Sequence, residues 1–221
     1  MKAAFIYGIL LVSTIYGQDC PTKNGISPAS RKAIVDKHNA YRSSNALGKE
    51  IDGSTGKSAP KAKNMYKMSY DCELEKIAQA WADGCEFKHS PQKSREAGEN
   101  LYMSWPTVQN DGPLLSAPDS WWKELKDFGV GAFSPKFNFT EEVFSKGVGH
   151  YTQMAWARTT KIGCGHAKCP NMNLIVCNYR EQGNYLNEFI YEIGNPCQKD
   201  ADCTTFPKSR CSAKEGLCYQ G

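Results

Sequence analysis

Cysteine content constrains the fold of this chain more than any other feature, because all ten cysteines lie beyond residue 19. An even number of cysteines in an exported chain is typical of disulfide bonding. Zinc binding by cysteine is the alternative, but the chain has no Cys-x-x-Cys pair, the usual element of such sites. The sequence therefore predicts a disulfide-braced protein, although spacing alone does not give the pairing. The cysteines are Cys20, Cys72, Cys85, Cys164, Cys169, Cys177, Cys197, Cys203, Cys211 and Cys218.

The first 17 residues have the pattern of a secretory signal peptide. Lys2 gives a positive start, Ala3–Val12 is mostly apolar, and Gly17 provides a small-residue cleavage site. This apolar run is shorter than the roughly 20 residues that a membrane-spanning helix needs. No later segment is long enough to span a membrane either. We therefore expect a secreted, extracellular protein without a membrane span, and a mature chain that begins near Gln18.

The charge balance excludes a nucleic-acid-binding protein. The chain has 27 Lys and Arg against 23 Asp and Glu, a net charge of +4. These charges are dispersed, whereas nucleic-acid surfaces carry strongly basic patches or stripes. The length fits one domain of ordinary size with an appendage.

Helical periodicity predicts two helices in the first half of the chain. Ser27 can cap the first helix, which begins at Pro28 and ends at Gly48. After a loop over residues 49–63, Asp71 can cap the second helix. The apolar face of that second helix consists of Leu74, Ile77, Ala78, Trp81, Ala82 and Cys85.

The middle of the chain is predicted to be irregular before a third helix. Residues 102–118 are predicted as a long loop, and the helix begins at Ser116 or Asp119 and ends at Gly129. Its core-facing residues are Trp121, Leu125 and Phe128.

Two strands and a cysteine-rich tail complete the prediction. Residues 161–167 and 173–179 are predicted to form strands joined by a short turn. From Gly194 onwards the chain has four cysteines and almost no aliphatic residues. Such a segment cannot bury a core of its own and must be held by disulfides.

Several short strings resemble elements of the CAP superfamily, which includes cysteine-rich secretory proteins, insect venom allergens and plant pathogenesis-related proteins. The resemblance is nearest to the venom-allergen-like, activation-associated secreted proteins of parasitic nematodes. The strings occur in the family's order along the chain. They are His38–Arg42, Phe87–Ser90, Gly98–Leu101, Trp121–Glu124, Gly149–Trp156 and Leu174–Tyr185.

The resemblance implies an α/β fold, a three-layer α-β-α sandwich with a mostly antiparallel central sheet. This CAP domain would cover residues 18–193, and residues 194–221 would form a small, disulfide-held, hinge-like C-terminal extension. The resemblance also implies a disulfide between Cys164 and Cys177. We interpret His38 separately, as a buried histidine bonded to a backbone carbonyl.

The same resemblance places four side chains around one central cavity: His89, Glu99, Glu124 and His150. Three interpretations of this tetrad remain open. His89 and His150 could bind Zn(II) or another divalent cation, with the glutamates orienting the rings. The four groups could instead serve a metal-dependent or serine-type hydrolase, with Ser90 beside His89. Finally, the pairs His89–Glu99 and His150–Glu124 could simply stabilise the fold.

The function implied is non-enzymatic, with no obligatory cofactor. We expect a parasite effector at the host interface that binds a sterol or fatty acid, host proteins, or both, and acts as an immunomodulator. Homodimerisation is a further expectation. The candidate lipid contacts are Tyr102, Trp105, Leu114 and Leu115. Asn138 begins the only Asn-x-Ser/Thr sequon and is the predicted glycosylation site.

Overall fold

The computed structural model describes residues 20–21 and 26–220, so the predicted signal peptide over residues 1–17 lies outside the described residues. Its helices are α1 (Pro28–Ala46), α2 (Cys72–Ala82), α3 (Gln92–Arg95), α4 (Gly112–Asp127), α5 (Glu141–Ser145) and α6 (Gly149–Ala155). The first strands are β1 (Ile51–Asp52), β2 (Lys57–Ser58), β3 (Ala62–Lys63), β4 (Ser69–Tyr70) and β5 (Gly98–Ser104). The later strands are β6 (Lys161–Lys168), β7 (Asn173–Arg180), β8 (Glu192–Ile193), β9 (Ser209–Ser212) and β10 (Leu217–Gln220).

The core of the molecule is a three-layer sandwich, which confirms the predicted fold class. A four-stranded sheet with the order β4-β6-β7-β5 forms the middle layer. Only the β4–β6 pair of this sheet is parallel, and the other two pairs are antiparallel. Helices α1, α4 and α6 pack on one face, and α2 packs on the other. No helix in the described ranges is both long and apolar enough to cross a membrane.

The two N-terminal helices begin where the capping residues predict. The Ser27 hydroxyl accepts the Ser30 amide, and the Asp71 carboxylate accepts the amides of Glu73 and Leu74, which satisfies N–H groups that lack helical partners. Helix α2 ends at Ala82, so the predicted extension to Cys85 is wrong. Cys85 has a φ of 54°, which is not helical.

Helix α2 lies unusually close to the sheet because β6 presents glycines to it. A Cβ on Gly163 would lie 2.2 Å from the Glu75 amide nitrogen, and one on Gly165 would lie 2.5 Å from Gln79 Cα. Both distances are far below van der Waals contact, so any side chain at these two positions would push the helix outward. The Gln79 side chain closes the contact by bonding to both the amide and the carbonyl of His166.

The stretch predicted as a loop over residues 102–118 is largely regular. Strand β5 runs to Ser104, and α4 begins at Gly112, before either of the predicted starts at Ser116 and Asp119. Pro118 therefore lies inside the helix, a position that proline usually disfavours. The helix begins earlier because Leu114 and Ala117 are completely buried in the core, and this packing outweighs the poor helix propensity of proline. Phe128, predicted to face the core, is 48% exposed. The predicted 49–63 loop contains β1, β2 and β3, each of two residues.

All ten cysteines are paired. The Cys164–Cys177 bond, which the family resemblance implies, joins the adjacent strands β6 and β7. The other four disulfides are Cys20–Cys72, Cys85–Cys169, Cys197–Cys211 and Cys203–Cys218. The last two hold the C-terminal β9–β10 hairpin, as the composition of the tail predicts.

A buried guanidinium ties α1 to the rest of the domain. Arg42 has no exposed surface, and burial lowers its pKa to about 9, so it stays charged at neutral pH. Its five N–H donors all bond to backbone carbonyl oxygens at 2.7–3.2 Å. The acceptors are Tyr66, Met154, Trp156, Ala157 and Thr159.

We predict that Arg42→Lys strongly destabilises the fold. A lysine keeps the charge but has three donors, so at least two buried carbonyls lose their partner, and the expected loss of unfolding free energy is about 2–5 kcal/mol. Chemical denaturation would measure this loss. Lys32→Met on the exposed face of α1 is the control and should change stability by less than about 0.5 kcal/mol. Equal effects of the two substitutions would contradict the assigned role of Arg42.

We also predict that His38 makes the fold sensitive to mild acid. As predicted from sequence, His38 is fully buried, and its Nδ1–H donates to the Ile34 carbonyl at 2.8 Å. Its Nε2 accepts the Tyr179 hydroxyl at 3.0 Å. Burial lowers the His38 pKa from 6.5 to about 4, so the unfolded chain takes up this proton first as the pH falls. Unfolding free energy should therefore drop by about 3 kcal/mol between pH 7 and pH 4 on this account.

Urea denaturation at a series of pH values tests this prediction. The His38→Gln variant should have a shallower dependence of unfolding free energy on pH between 6.5 and 4.5. Lys57→Gln, at an exposed position of β2, should keep the wild-type slope. An unchanged slope in His38→Gln would refute the assignment.

Candidate functional site

The four side chains of the predicted tetrad line one open cavity of about 330 Å³. Glu99 comes from the edge strand β5, Glu124 from α4 and His150 from the first turn of α6, while His89 precedes α3. Residues from four separate segments therefore meet at one end of the sheet. The remaining lining residues are Asn100, Phe144, Ser145, Gly147, Gly149 and Asn184.

Glu99 binds His89 through a dense set of hydrogen bonds. Its Oε1 accepts His89 Nδ1–H at 2.8 Å and the Ser90 amide at 2.9 Å, and its Oε2 accepts the Ser90 hydroxyl at 2.7 Å. Burial by itself would raise the Glu99 pKa, but the bonds from His89 and Ser90 and the charge of Arg95 outweigh it and lower the pKa. Glu99 is therefore an ionised carboxylate at neutral pH, and the proton of the shared hydrogen bond lies on His89 Nδ1.

Glu124 holds His150 in the same manner from the opposite side. Its Oε1 accepts His150 Nδ1–H at 2.6 Å, and its Oε2 accepts the backbone amides of His150 and Tyr151 at 3.0 and 2.9 Å. These amides belong to the first turn of α6, where helical N–H groups lack partners and the helix dipole favours a negative charge. The His150 ring also stacks on Trp121, with ring centres 6.0 Å apart.

Both imidazoles consequently have the same nitrogen left without a protein partner among the described residues. Each Nδ1–H is used by a glutamate, so each Nε2 carries the free lone pair, and within the described residues neither Nε2 has a hydrogen-bond partner. The His89 side chain is 59% exposed and the His150 side chain 35%, so solvent and ions reach both rings. A carboxylate on one imidazole nitrogen and an accessible lone pair on the other is the arrangement that metal-binding histidines adopt.

Ser90 is not paired with a histidine in the way that a serine–histidine nucleophile would be. Ser90 is 6% exposed, and its hydroxyl donates to Glu99 rather than to an imidazole. Arg95 approaches the same hydroxyl oxygen at 3.2 Å. In a triad-type hydrolase the nucleophilic hydroxyl is exposed and donates to an imidazole, whereas the Ser90 hydroxyl is buried and donates to a carboxylate.

Two asparagines and a phenylalanine of the cavity were not assigned to the site from sequence. Asn100 donates to the His150 carbonyl at 3.1 Å, and Asn184 donates to the Gly149 carbonyl at 2.9 Å, so both position α6. Each asparagine lies in a family-like string, which was the available signal. Phe144 is 61% exposed at the cavity, and its sequence neighbourhood contains no comparable signal.

A cluster of cysteine sulfur atoms lies in the C-terminal tail. The sulfur atoms of Cys197, Cys203 and Cys211 lie within 4.8 Å of one another. Each sulfur is in a disulfide and offers no thiolate, so this cluster does not fit a metal ion.

The structure exposes some of the predicted lipid contacts and buries others. Trp105 is 71% exposed, and Tyr102 and Leu115 are half-buried. Leu114 has no exposed surface and packs in the core from α4, so the expectation that it lies on an exposed loop is wrong.

The side chain of the sequon asparagine makes a hydrogen bond within the protein. Asn138 is half-buried, and its side-chain amide nitrogen, the atom that would carry a glycan, donates to the Asn187 carbonyl at 3.1 Å. Its glycosylation stays a prediction.

Comparison with known proteins agrees with the motifs. The family model described as "CAP: Cysteine-rich secretory protein family" matches residues 35–179. The chain is 39% identical to Ancylostoma secreted protein of Ancylostoma caninum over 91% of its own length, although it spans only 46% of that relative. It is also 38% identical to venom allergen 5.02 of Dolichovespula maculata, over 76% of this chain and 79% of the relative.

Solved structures resemble the whole fold. NaASP2, whose crystal structure was determined with Zn2+, superposes with a TM-score of 0.81 at 41% identity, over 90% of this chain and 100% of NaASP2. BmVAL-1 superposes with a TM-score of 0.80 at 39% identity, over 92% of this chain and 99% of BmVAL-1. The match of the family model, the identity to these relatives and the shared architecture agree, and the chain belongs to the CAP family of cysteine-rich secretory proteins.

Proposed function

We propose that this protein is a secreted, non-enzymatic, venom-allergen-like effector that binds a divalent cation such as Zn(II) in the His/Glu cavity. Its further ligands are a sterol or fatty acid, host proteins, or both, through which it acts on host immunity. The family assignment supports secretion, as do the five disulfides. The observation that carries the metal proposal is the free Nε2 lone pair on each of two glutamate-oriented imidazoles.

The donor set suits a loosely held ion. Two imidazole nitrogens supply half of a tetrahedral zinc shell, and water would complete it. Glu99 and Glu124 would act as second-shell acceptors that fix the tautomer and orientation of each ring. When bound, the ion supplies Lewis acidity, and the protein residues supply only its position. The solved structure of NaASP2 with Zn2+ supports the choice of zinc.

Hydrolysis is the less favoured alternative because neither accessible imidazole has a serine hydroxyl as its hydrogen-bond partner among the described residues. Both oxygens of Glu99 and both oxygens of Glu124 already accept hydrogen bonds from protein donors. The carboxylates are therefore engaged in orienting the rings, and Ser90, the serine next to His89, donates its hydroxyl to Glu99 rather than to an imidazole. A base without a paired nucleophile favours binding over turnover.

Lipid and protein binding would lie outside the cavity. Trp105 provides a large exposed aromatic surface at the end of β5, with Tyr102 and Leu115 half-buried in the same region. A large exposed apolar side chain is a common anchor for a hydrophobic ligand or a partner protein. Homodimerisation and glycosylation at Asn138 complete the proposal.

We predict that the intact protein binds one Zn(II) per chain and that His150→Ala and His89→Ala each remove most of this binding. Glu99→Gln should weaken zinc binding by about 10- to 100-fold, since it disturbs the orientation of His89. Glu73→Gln, at an exposed glutamate of α2, is the matched control and should bind zinc normally. Calorimetric titration with zinc chloride gives the affinity, and native mass spectrometry gives the stoichiometry and any dimer.

Two results would contradict the metal proposal: a wild-type protein that does not bind zinc, or histidine variants that bind as tightly as wild type. Ester and peptide libraries incubated with the zinc-loaded protein test the alternative. Cleavage that disappears in His150→Ala would establish the hydrolase and overturn the non-enzymatic assignment.

We predict that Trp105→Ala lowers the affinity for a fluorescent sterol or fatty-acid probe by about 10- to 100-fold, because burying a large apolar side chain contributes roughly 1.5–3 kcal/mol. Phe189→Ala, which removes another half-exposed aromatic ring, should leave the affinity unchanged. Competition with unlabelled lipid measures both. If no saturable displacement occurs with the wild-type protein, the lipid proposal is wrong.

A further inference from the structure

A second cleft lies between the sandwich and the C-terminal hairpin, at a different site from the His/Glu cavity. It has a volume of about 470 Å³. One wall comes from β4 and the start of β6, and the other from β9 and β10. Its polar lining residues are Lys67, Ser69, Thr160, Lys161, Tyr219 and Gln220, with Ser212 at the hairpin.

The hairpin wall of this cleft is docked firmly. The Cys218 amide donates to the Met65 carbonyl, and the Lys67 amide donates to the Cys218 carbonyl. Beside these bonds, the buried Tyr66 ring packs edge-on against Phe206 and its hydroxyl bonds to Ser209. The two walls are therefore held in register, and the cleft between them is preformed.

The chemistry of the cleft is that of a hydrogen-bond donor site. Its lining contains two lysines and no acidic residue. Lys67 forms an ion pair with Glu215, which is not one of the residues that line the cleft. Lys161 donates to the neutral Ser69 hydroxyl at 2.9 Å and, among the described residues, has no carboxylate partner. The Tyr219 hydroxyl likewise has no hydrogen-bond partner in that part of the chain.

Strand register adds further positive charge next to the cleft. Lys161 of β6 lies directly opposite Arg180 of β7, and Tyr219 of β10 lies opposite Arg210 of β9. Directly opposed side chains share a face of the sheet, and like charges in such a pair destabilise it. Within the described residues neither Lys161 nor Arg180 forms an ion pair that would reduce this repulsion, and Arg210 forms none either. An anion bound beside Lys161 would offset it.

We propose that this cleft binds a small ligand through a sulfate or phosphate ester group. Lys161 and Lys67 would contact the oxyanion, the Tyr219 hydroxyl would donate to it, and Arg180 and Arg210 would add long-range attraction. A metal ion is the wrong occupant, because the cleft offers cations and donors rather than anionic ligands. The volume accommodates a sugar-sized group on the ester, so a sulfated sugar and a sugar phosphate are the two sources of this chemistry.

Binding of a sulfated disaccharide, a sugar phosphate and an uncharged disaccharide to the full chain tests the proposal. Calorimetry or ligand-detected NMR should give saturable binding of at least one anionic probe and none of the uncharged sugar. Lys161→Gln should weaken that binding about tenfold, the effect of losing one charge-assisted hydrogen bond. Tyr219→Phe should weaken it less, and added sodium chloride should weaken it further. The tighter of the two anionic probes identifies the ester.

Lys57→Gln is the matched control, because it removes a lysine from an exposed strand away from the cleft. Thermal unfolding of each variant establishes that it is folded. Equal affinities of Lys161→Gln and Lys57→Gln would overturn the proposal, and so would the absence of saturable binding by both anionic probes at millimolar concentration. Zinc binding in the His/Glu cavity should be unchanged in Lys161→Gln, which separates this proposal from the metal proposal.

Discussion

The buried guanidinium of Arg42 is the interaction on which the arrangement of the site depends. Its hydrogen bonds to the carbonyls of Met154 and Trp156 anchor the C-terminal end of α6, while Glu124 receives the amides at the N-terminal end. A seven-residue helix has little stability of its own, so it exists because both ends are fixed by residues from α1 and α4. The position of His150 is thus set by two charged groups, Arg42 at one end of α6 and Glu124 at the other.

Each cavity glutamate uses one carboxylate both to fix a backbone segment and to orient a histidine ring. Glu124 caps α6 and orients His150, and Glu99 organises the Ser90 backbone and orients His89. Each oxygen of both carboxylates accepts at least one hydrogen bond from a protein donor, so the orientation of the carboxylates is fixed. The cavity consequently combines accessible imidazole lone pairs with immobile carboxylates, a combination suited to holding a cation.

The two sides of the sheet are packed by different means. On the α2 side, Gly163 and Gly165 allow the helix backbone to approach β6 directly, and the Cys85–Cys169 disulfide fastens the end of that layer. On the other side, large side chains of α1, α4 and α6 fill the core. The C-terminal hairpin then docks on residues 65–67, and its cystines replace the aliphatic core it lacks. Docking, rather than flexible attachment, creates the basic cleft at the seam.

The sequence by itself determined the elements whose signals are local. Caps and periodicity gave α1 and α2, and two strand-like runs joined by a short turn gave β6 and β7. Cysteine content gave the disulfide-held tail, and family motifs placed His89 and His150 in one cavity. Tertiary structure alone decided the rest. Helix α4 passes through Pro118 because Leu114 is buried, and Phe128 is exposed because the helix ends there. Lys161 meets Tyr219 across a cleft only after the hairpin docks. Such outcomes depend on packing between segments far apart in the chain, and local propensity carries no information about that packing.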